Sequence, residues 1–515
     1  MKIVTSKEMR EIDSKTITEY KIPGCVLMEK AGYAVASKIK ELHHKNKVIV
    51  FSGSGNNGGD GMVTARILKS QGHEVIIILL CVVQNIKGDA LTQYYAALKY
   101  GIPFYNAKYF LENHTELLKP DSIIVDAIFG TGLNKEITGE ISEIINLINS
   151  SKLPVISVDI PSGISSDTGQ ILGTAIKAKY TVTFGLPKKG HLLYPGAEYT
   201  GNLFIENIGF PEELLESDTL KIELLEKNKV SLLIPERRNY SHKGNYGHVL
   251  IIAGSKGKTG AAFLSAHACL RTGAGLVTIG IPETLSNVFQ QRVTEEMTLI
   301  LPDKGNGTLS EKALSKILNF AEKNADLIAI GPGIGVSNET EKIVKALIVE
   351  FKKPIIIDAD GLNSIKGDKD IFKKAKSQII LTPHPGEMSR LINSSVNNIE
   401  NDRINKALSF ATDTGTFTVL KGVPTVIASP DGMAYINSTG NPGMASAGSG
   451  DVLTGMISGF LAQQITPINS CILGVYMHGF AGDIAAMKKG MHSLIASDII
   501  ENIPEAFKAI SGNKF

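Results

Sequence analysis

What most restricts the fold of this chain is a recurring unit: a short aliphatic run that stops at a glycine or carboxylate loop, followed by a helix-forming stretch. Lys47–Ser52 (KVIVFS) runs into GSGNNGGDG, Ser122–Val125 ends in Asp126, Val155–Val158 ends in Asp159, and His248–Ala253 enters GSKGKTGAA. The same rhythm returns around Gly331–Gly335, Asp358–Asn363, Thr382–Glu387 and Lys421–Thr425. Aliphatic runs without polar alternation belong to strands buried on both faces, the mark of a parallel sheet covered by helices. Such sheets bind ligands outside the carboxyl ends of their strands, so the loops carry the function.

A chain of 515 residues makes two or three domains, and a hydrophobic fraction of 43% supplies proper cores. With a net charge of +2 and no basic stripe, nucleic acid is not an expected partner. Cys25, Cys81, Cys269 and Cys471 stand far apart, which argues against disulfides or a zinc site. The N-terminus lacks an apolar leader core, and the longest apolar run, Val75–Val83, is too short for a bilayer, so no membrane partner and a cytoplasmic location are expected.

In the first half, Glu8–Leu42 reads as helices broken at Pro23–Gly24. Gly53, Gly55 and Gly58 then match the dinucleotide fingerprint, with the following helix expected from Met62. The acid that should close the next strand is missing, and the loop instead carries Asn56, Asn57 and Asp60, oxygens suited to a cation or to sugar hydroxyls. Asp126 and Asp159 should arrive at one crevice facing this loop. The charged segment around Asp218–Lys229 separates domains at 1–220 and 221–515.

In the second half, GSKGKTG is a near miss to a P-loop because the first glycine of that motif falls on Ile252, which leaves Lys258 either solvated or on a phosphate. His384 stands between two prolines on an exposed turn, and Lys421 can meet a phosphate or a carboxylate. The stretch Asn441–Gly455 (NPGMASAGSGDVLTG) passes from a turn into a helix whose free N–H groups suit an anion. Asp451 beside them is either a base for phosphoryl transfer to a hydroxyl or a helix cap.

SGSGNNGGDG, VDAIFGTGLNKEITGE and SVDIPSGISSDTG resemble the epimerase half of the bifunctional NAD(P)H-hydrate repair enzymes, and GPGIG, LTPHPGE, KGVPT and NPGMASAGSGDVLTG resemble their dehydratase half. The resemblance implies an α/β protein: a Rossmann-like three-layer N-terminal domain and a ribokinase-like C-terminal domain. It implies that Asn56, Asn57, Gly58, Gly59 and Asp60 contact the hydrate. So would the loop Gly130, Thr131, Gly132, Leu133, Asn134, Lys135 and Glu136, together with Asp159, which also moves the proton. Asn57, Asp126 and Ser162 would hold a potassium ion. In the second domain Ala261, Gly333, His384 and Asp451 would meet the substrate, with Asp451 as the catalytic base. Lys421, Gly422, Val423, Pro424, Thr425 and Gly450 would meet ADP or ATP, carried with magnesium. The reactions implied are epimerisation of the R and S hydrates and phosphorylation-driven dehydration of the S form. Enzymes of this kind are often oligomeric, so a homo-oligomer is expected. The rival readings are a ribokinase-type small-molecule kinase with a regulatory N-terminal domain, and a non-catalytic dinucleotide sensor.

Overall fold

The computed structural model describes residues 1–42, 47–365 and 367–511. The chain forms two compact units, Met1–Lys221 and Ile222–Phe515.

The first unit is built on a seven-stranded sheet of β1 (Lys47–Ser52), β2 (Val75–Leu79), β3 (Phe104–Asn106), β4 (Ser122–Ala127), β5 (Val155–Val158), β6 (Tyr180–Phe184) and β7 (Asn202–Glu206). Its order is β3-β2-β1-β4-β5-β6-β7, and every pairing is parallel. Alternate residues of β1 serve opposite cores. Val48 and Val50 pack with Met62, Leu68, Val35 and Ile39 on one face, and Ile49 and Phe51 with Phe110, Ile144 and Ile148 on the other. Each such side chain removed from water contributes roughly 1.5–3 kcal/mol, which is why the strands read as unbroken aliphatic runs. The order reverses between β1 and β4, so the loops after these two strands diverge and leave a crevice.

Around this sheet lie α1 (Ser6–Thr18), α2 (Gly24–Leu42), α3 (Asn56–Ser70) and α4 (Gly88–Lys99). The sequence places the start of α3 at Met62, but it begins at Asn56, inside the glycine loop. The glycines allow this. A Cβ on Gly58 would lie 2.1 Å from the Gly53 carbonyl, and one on Gly59 would lie 2.8 Å from Met28 Sδ. The first turn therefore presses on its own strand and on α2.

The second unit has a mixed sheet: β8 (Ile222–Leu224), β9 (His248–Ile252), β10 (Leu276–Pro282), β11 (Met297–Leu301), β12 (Leu327–Ile330), β13 (Ile355–Ile357), β14 (Ile379–Leu381), β15 (Phe417–Leu420), β16 (Val426–Ala428) and β17 (Ala434–Ile436). They follow the order β8-β17-β16-β15-β14-β13-β12-β9-β10-β11, with β15–β16 and β16–β17 antiparallel and the rest parallel. The order reverses again, between β9 and β12. Three helices matter for the site: α5 (Thr259–Thr272), α6 (Pro385–Leu391) and α7 (Ser449–Ala462). Along α7, Gly455 and Gly459 bring its backbone against α5, where a Cβ would meet the Ser265 and Cys269 carbonyls at 2.1 and 2.6 Å.

Candidate active sites

The crevice of the first unit opens into a cavity of about 800 Å³. From the loop after β1 and the start of α3 come Ser54, Asn56, Asn57 and Asp60; from the loop after β4 come Gly130 to Glu136; and from the end of β5 comes Asp159. Gly58 and Gly59 do not line it, being used in packing. Asp126 does not line it either, contrary to the sequence expectation of two carboxylates in one crevice. Asp126 still belongs to β4, and its side chain turns inward. There it accepts hydrogen bonds from Ser157 Oγ, Ser162 N and Ser162 Oγ at 2.8, 2.8 and 2.5 Å, and from Ile128 N at 3.3 Å.

That pocket behind the cavity wall is unusual in its charge. Asp126 is fully buried, and burial pushes its carboxyl up although the serine hydrogen bonds pull the other way. All four donors are neutral. Both polar atoms of the Asn57 carboxamide are buried without a partner, and a Cβ on Gly130 would stand 3.3 Å from Asn57. A buried orphan amide oxygen against the loop after β4, and a buried acid in β4 with no cation bonded to it among the described residues, are groups that an oxygen-binding cation would satisfy.

Asp159 is held in the left-handed region at φ +63°, a backbone cost of order 1–3 kcal/mol that concentrates at functional sites. Its Oδ1 accepts from Lys188 Nζ at 2.5 Å and from Thr183 Oγ1 at 2.9 Å. Burial opposes its ionisation, but the Lys188 ammonium overcomes it and holds the carboxyl below its usual range. His191 Nε2–H donates to the Asp159 carbonyl while Nδ1 accepts from Lys188 N–H, and burial and Lys188 lower this imidazole to about 4, so it is neutral. Asp60 goes the other way, raised well above the carboxylate range by burial and by Asp159 and Asp13. Sequence reading missed Asp13 and Lys188, both of which line the cavity. Neither sits in a motif: one is on an ordinary amphipathic helix, the other in a loop after β6.

In the second unit the loops after β9 and β12 meet. Gly333, at φ +66°, lies where a Cβ would be 3.0 Å from Lys258 Cβ and 3.2 Å from Ala261 Cβ, so the two expected substrate contacts are neighbours. Lys258, half exposed, pairs with Asp360 at 3.0 Å. Lys421 Nζ donates to Asp358 Oδ1 at 2.7 Å and lies 3.9 Å from Glu387 Oε2, so its partner here is a carboxylate. Thr454 Oγ1 of α7 donates to the other oxygen of Asp358 at 2.7 Å, tying that helix to the same carboxylate. A Cβ on Gly450 would stand 3.4 Å from Lys421 Nζ, which puts the expected nucleotide loop against the α7 N-terminus.

Asp451 is not the cap of α7. Gly448, at φ +91°, occupies that place, and Asp451 stands in the first turn with its carboxyl making no hydrogen bond among the described residues. Burial and the nearby Asp358 push it up to about 7, against the pull of Lys421. His384 caps α6: its Nδ1 accepts from Gly386 N at 3.0 Å and Glu387 Oε2 accepts from His384 N at 2.8 Å. Burial and the cations Lys421 and Arg390 lower it, so the ring is neutral, and its Nε2 lies 3.4 Å from Glu387 Oε1. Arg403, on the helix Arg403–Thr414, is buried and donates to the carbonyls of Leu420, Lys421 and Pro424 at 3.3, 2.8 and 3.2 Å, fixing the Lys421–Thr425 loop from behind.

Fold and site together define a two-unit α/β enzyme whose second unit is ribokinase-like, with a part-buried carboxyl in the first turn of a glycine-capped helix. Residues 249–505 match the family model described as NAD(P)H-hydrate dehydratase, and residues 24–190 match that of the YjeF-related protein N-terminus. The bifunctional NAD(P)H-hydrate repair enzyme Nnr of Moorella thermoacetica is 41% identical over 98% of this chain and 96% of its own length. The enzyme of the same name from Thermofilum pendens is 38% identical over 99% of this chain and 97% of its own. The crystal structure of the ADP/ATP-dependent NAD(P)H-hydrate dehydratase from Bacillus subtilis, co-crystallised with ATP and Mg²⁺, is 31% identical and superposes with a TM-score of 0.51, covering 56% of this chain and 99% of that one. The chain belongs to the family of bifunctional NAD(P)H-hydrate repair enzymes. Among the described residues no helix is long and apolar enough to cross a membrane.

Proposed function

We propose that this protein repairs hydrated NADH and NADPH in two steps, epimerising the R and S hydrates in the first unit and dehydrating the S form in the second at the expense of ADP or ATP. The observation that carries the reading is Asp451, a carboxyl without a hydrogen-bond partner, pushed up to about 7, beside Lys421 and a helix N-terminus. Asp451 takes the proton of the C6 hydroxyl as its oxygen attacks the terminal phosphoryl group. The Gly448–Gly450 turn and Lys421 receive the charge of the transferring group. Phosphate then leaves C6 with loss of the C5 proton, and the reduced nicotinamide ring is restored. Ala261, Gly333 and His384 orient the hydrate. Magnesium accompanies the nucleotide, and the Asp358 and Asp360 carboxylates near Asp451 are the oxygen donors it prefers.

In the first unit Asp159, bonded to Lys188, is the proton-transferring carboxylate, and Asn56, Asn57, Asp60 and Gly130 to Glu136 hold the hydrate. Asn57, Asp126 and Ser162 fit a potassium ion because the orphaned Asn57 oxygen and the uncompensated Asp126 charge both call for one. Bound there, the ion would fix the loop after β4. The rival kinase reading leaves the carboxylate-lined cavity of the first unit without a purpose. The test is direct: incubate the purified chain with chemically hydrated NADH and either ADP or ATP, and follow absorbance at the reduced-nicotinamide band. No recovery with either nucleotide overturns the reading.

A further inference from the structure

Five carboxyl groups line the first unit's cavity, Asp13, Asp60, Asp89, Glu136 and Asp159, and among the described residues only Asp159 has a cation bonded to it, while Lys135, also in the lining, pairs with none of them. The three hydrogens of Lys188 Nζ go to Asp159 Oδ1, Thr183 Oγ1 and the Phe184 carbonyl, at 2.5, 2.8 and 3.2 Å. None remains for Asp13 or Asp60. His191 is neutral with both ring nitrogens engaged, and Arg10, one turn before Asp13 on α1, makes no ion pair with it. The Asp13 carboxyl has no hydrogen-bond partner among the described residues. An acid that meets other acids in a part-buried cavity, with no cation bonded to it, holds its proton more tightly than a free carboxyl does.

Asp13 is also held firmly in place. The N-terminus of α1 is closed by a Thr5–Glu8 capping box, and Ser6 N and Oγ donate to Asp167 at 2.6 and 2.9 Å. Met9 and Ile12 on the same helix are buried in the core. The proton donor thus needs no rearrangement to face the cavity.

Inversion at C6 of the hydrate needs one proton given and one taken. When the C6 hydroxyl is protonated, the C6–O bond breaks, water departs and the N1 lone pair forms C6=N1. Water then adds to the other face of C6 and loses a proton. Nothing is oxidised or reduced, and no co-reactant is consumed. We infer that Asp13 is a catalytic acid of the epimerase site, giving its proton to the departing C6 hydroxyl, while Asp159, bonded to Lys188, takes the proton of the returning water. The proton passes back through solvent, and the two carboxyls exchange roles in the reverse direction. Burial, which pushes Asp13 up to about 6 against the pull of Lys188, agrees with that division of labour. The inference rests on the epimerase reading of this unit.

The test uses the full chain with ATP, magnesium and separated R and S hydrates of NADH. Asp13→Asn should slow consumption of the R form by roughly 10²–10⁴, while consumption of the S form, which needs only the second unit, stays at the wild-type rate. In the wild type without nucleotide, R-to-S conversion should fall as pH rises through about 6, because the acid form is lost. Asp13→Asn should abolish that limb, and Asp13→Glu should restore it in part, which a merely structural role would not do. If Asp13→Asn consumes the R form at the wild-type rate, or if Asp60→Asn and not Asp13→Asn removes the limb, the assignment is overturned. A wild-type chain that consumes the S form and never the R form overturns the epimerase reading and the role of Asp13 with it.

Discussion

Lys188 in the first unit and Lys421 in the second both sit among several carboxyl groups, yet they are used differently. Lys188 is 1% exposed and spends every hydrogen on the protein. Lys421 is 18% exposed and makes its one hydrogen bond to Asp358, leaving donors for an incoming phosphate. The first lysine therefore fixes the charge state of a carboxylate, and the second is available to a ligand. The same contrast sorts the acids. Asp159 and Asp358 are each bonded to a lysine, whereas Asp13 and Asp451, with no cation bonded to them among the described residues, are pushed up to about 6 and about 7, and burial raises Asp60 as well.

Asp451→Asn should break the second half of this comparison most severely. It keeps the size of the side chain and, with Gly448 as the cap, leaves the helix end intact. Dehydration of the S hydrate should fall roughly 10²–10⁴-fold while nucleotide binding and R-to-S conversion persist; near wild-type dehydration would show the carboxylate is not the base. Lys188→Met tests the structural lysine. It leaves Asp159 buried without its ion partner, which costs about 3–5 kcal/mol, and strips a donor from Thr183 and the Phe184 carbonyl as well, so denaturant melts should place it below Lys421→Met, which removes one hydrogen bond. If the two variants melt alike, the division between structural and ligand-facing lysines is wrong.

A smaller effect is expected at Asp126→Asn, which removes the buried charge and turns one of its two acceptor oxygens into a donor. The potassium concentration needed for half-maximal epimerisation should rise roughly 10–100-fold, and equal rates in sodium and potassium for the wild type would remove the ion from the account. Gentlest is the pH dependence of the wild-type dehydration rate. The base works when ionised, so the rate should be full above about 7 and fall with each unit below it, approaching tenfold per unit. A flat profile between pH 5.5 and 8 would contradict it.

Much of this was legible in the sequence because strand ends in a parallel sheet converge. Asp159, Asp451, Lys421, His384 and Gly333 are each the first polar or glycine break after, or close to, an apolar run, and the order reversals bring those breaks together. Less legible was the direction of a side chain. Asp126 looked equivalent to Asp159, yet its strand runs one residue past it to Ala127 and pairs it with Ser157, whereas the neighbouring strand stops one residue before Asp159, so Asp126 turns inward to Ser157 and Ser162. Glycines were ambiguous for a related reason: Gly58 and Gly59 lie in a ligand-type motif but serve helix contact with Gly53 and Met28. Asp13 and Lys188 could not be found from spacing, since long-range folding alone brings them beside Asp159.

The seat of α7 on α5 has a mechanical consequence. A helix pressed backbone to backbone at Gly455 and Gly459 behaves as a beam clamped along its middle, with Asp451 at the free tip about 6 Å beyond the nearer clamp. Any tilt at the clamp is magnified at the tip, and the partner helix begins at Thr259, two residues before Ala261. The proposed base and the proposed substrate contact are thus mounted on one rigid frame. A methyl group added at Gly455, far from any ligand, would jack the two helices apart and shift the aim of the carboxylate without altering a single reacting atom.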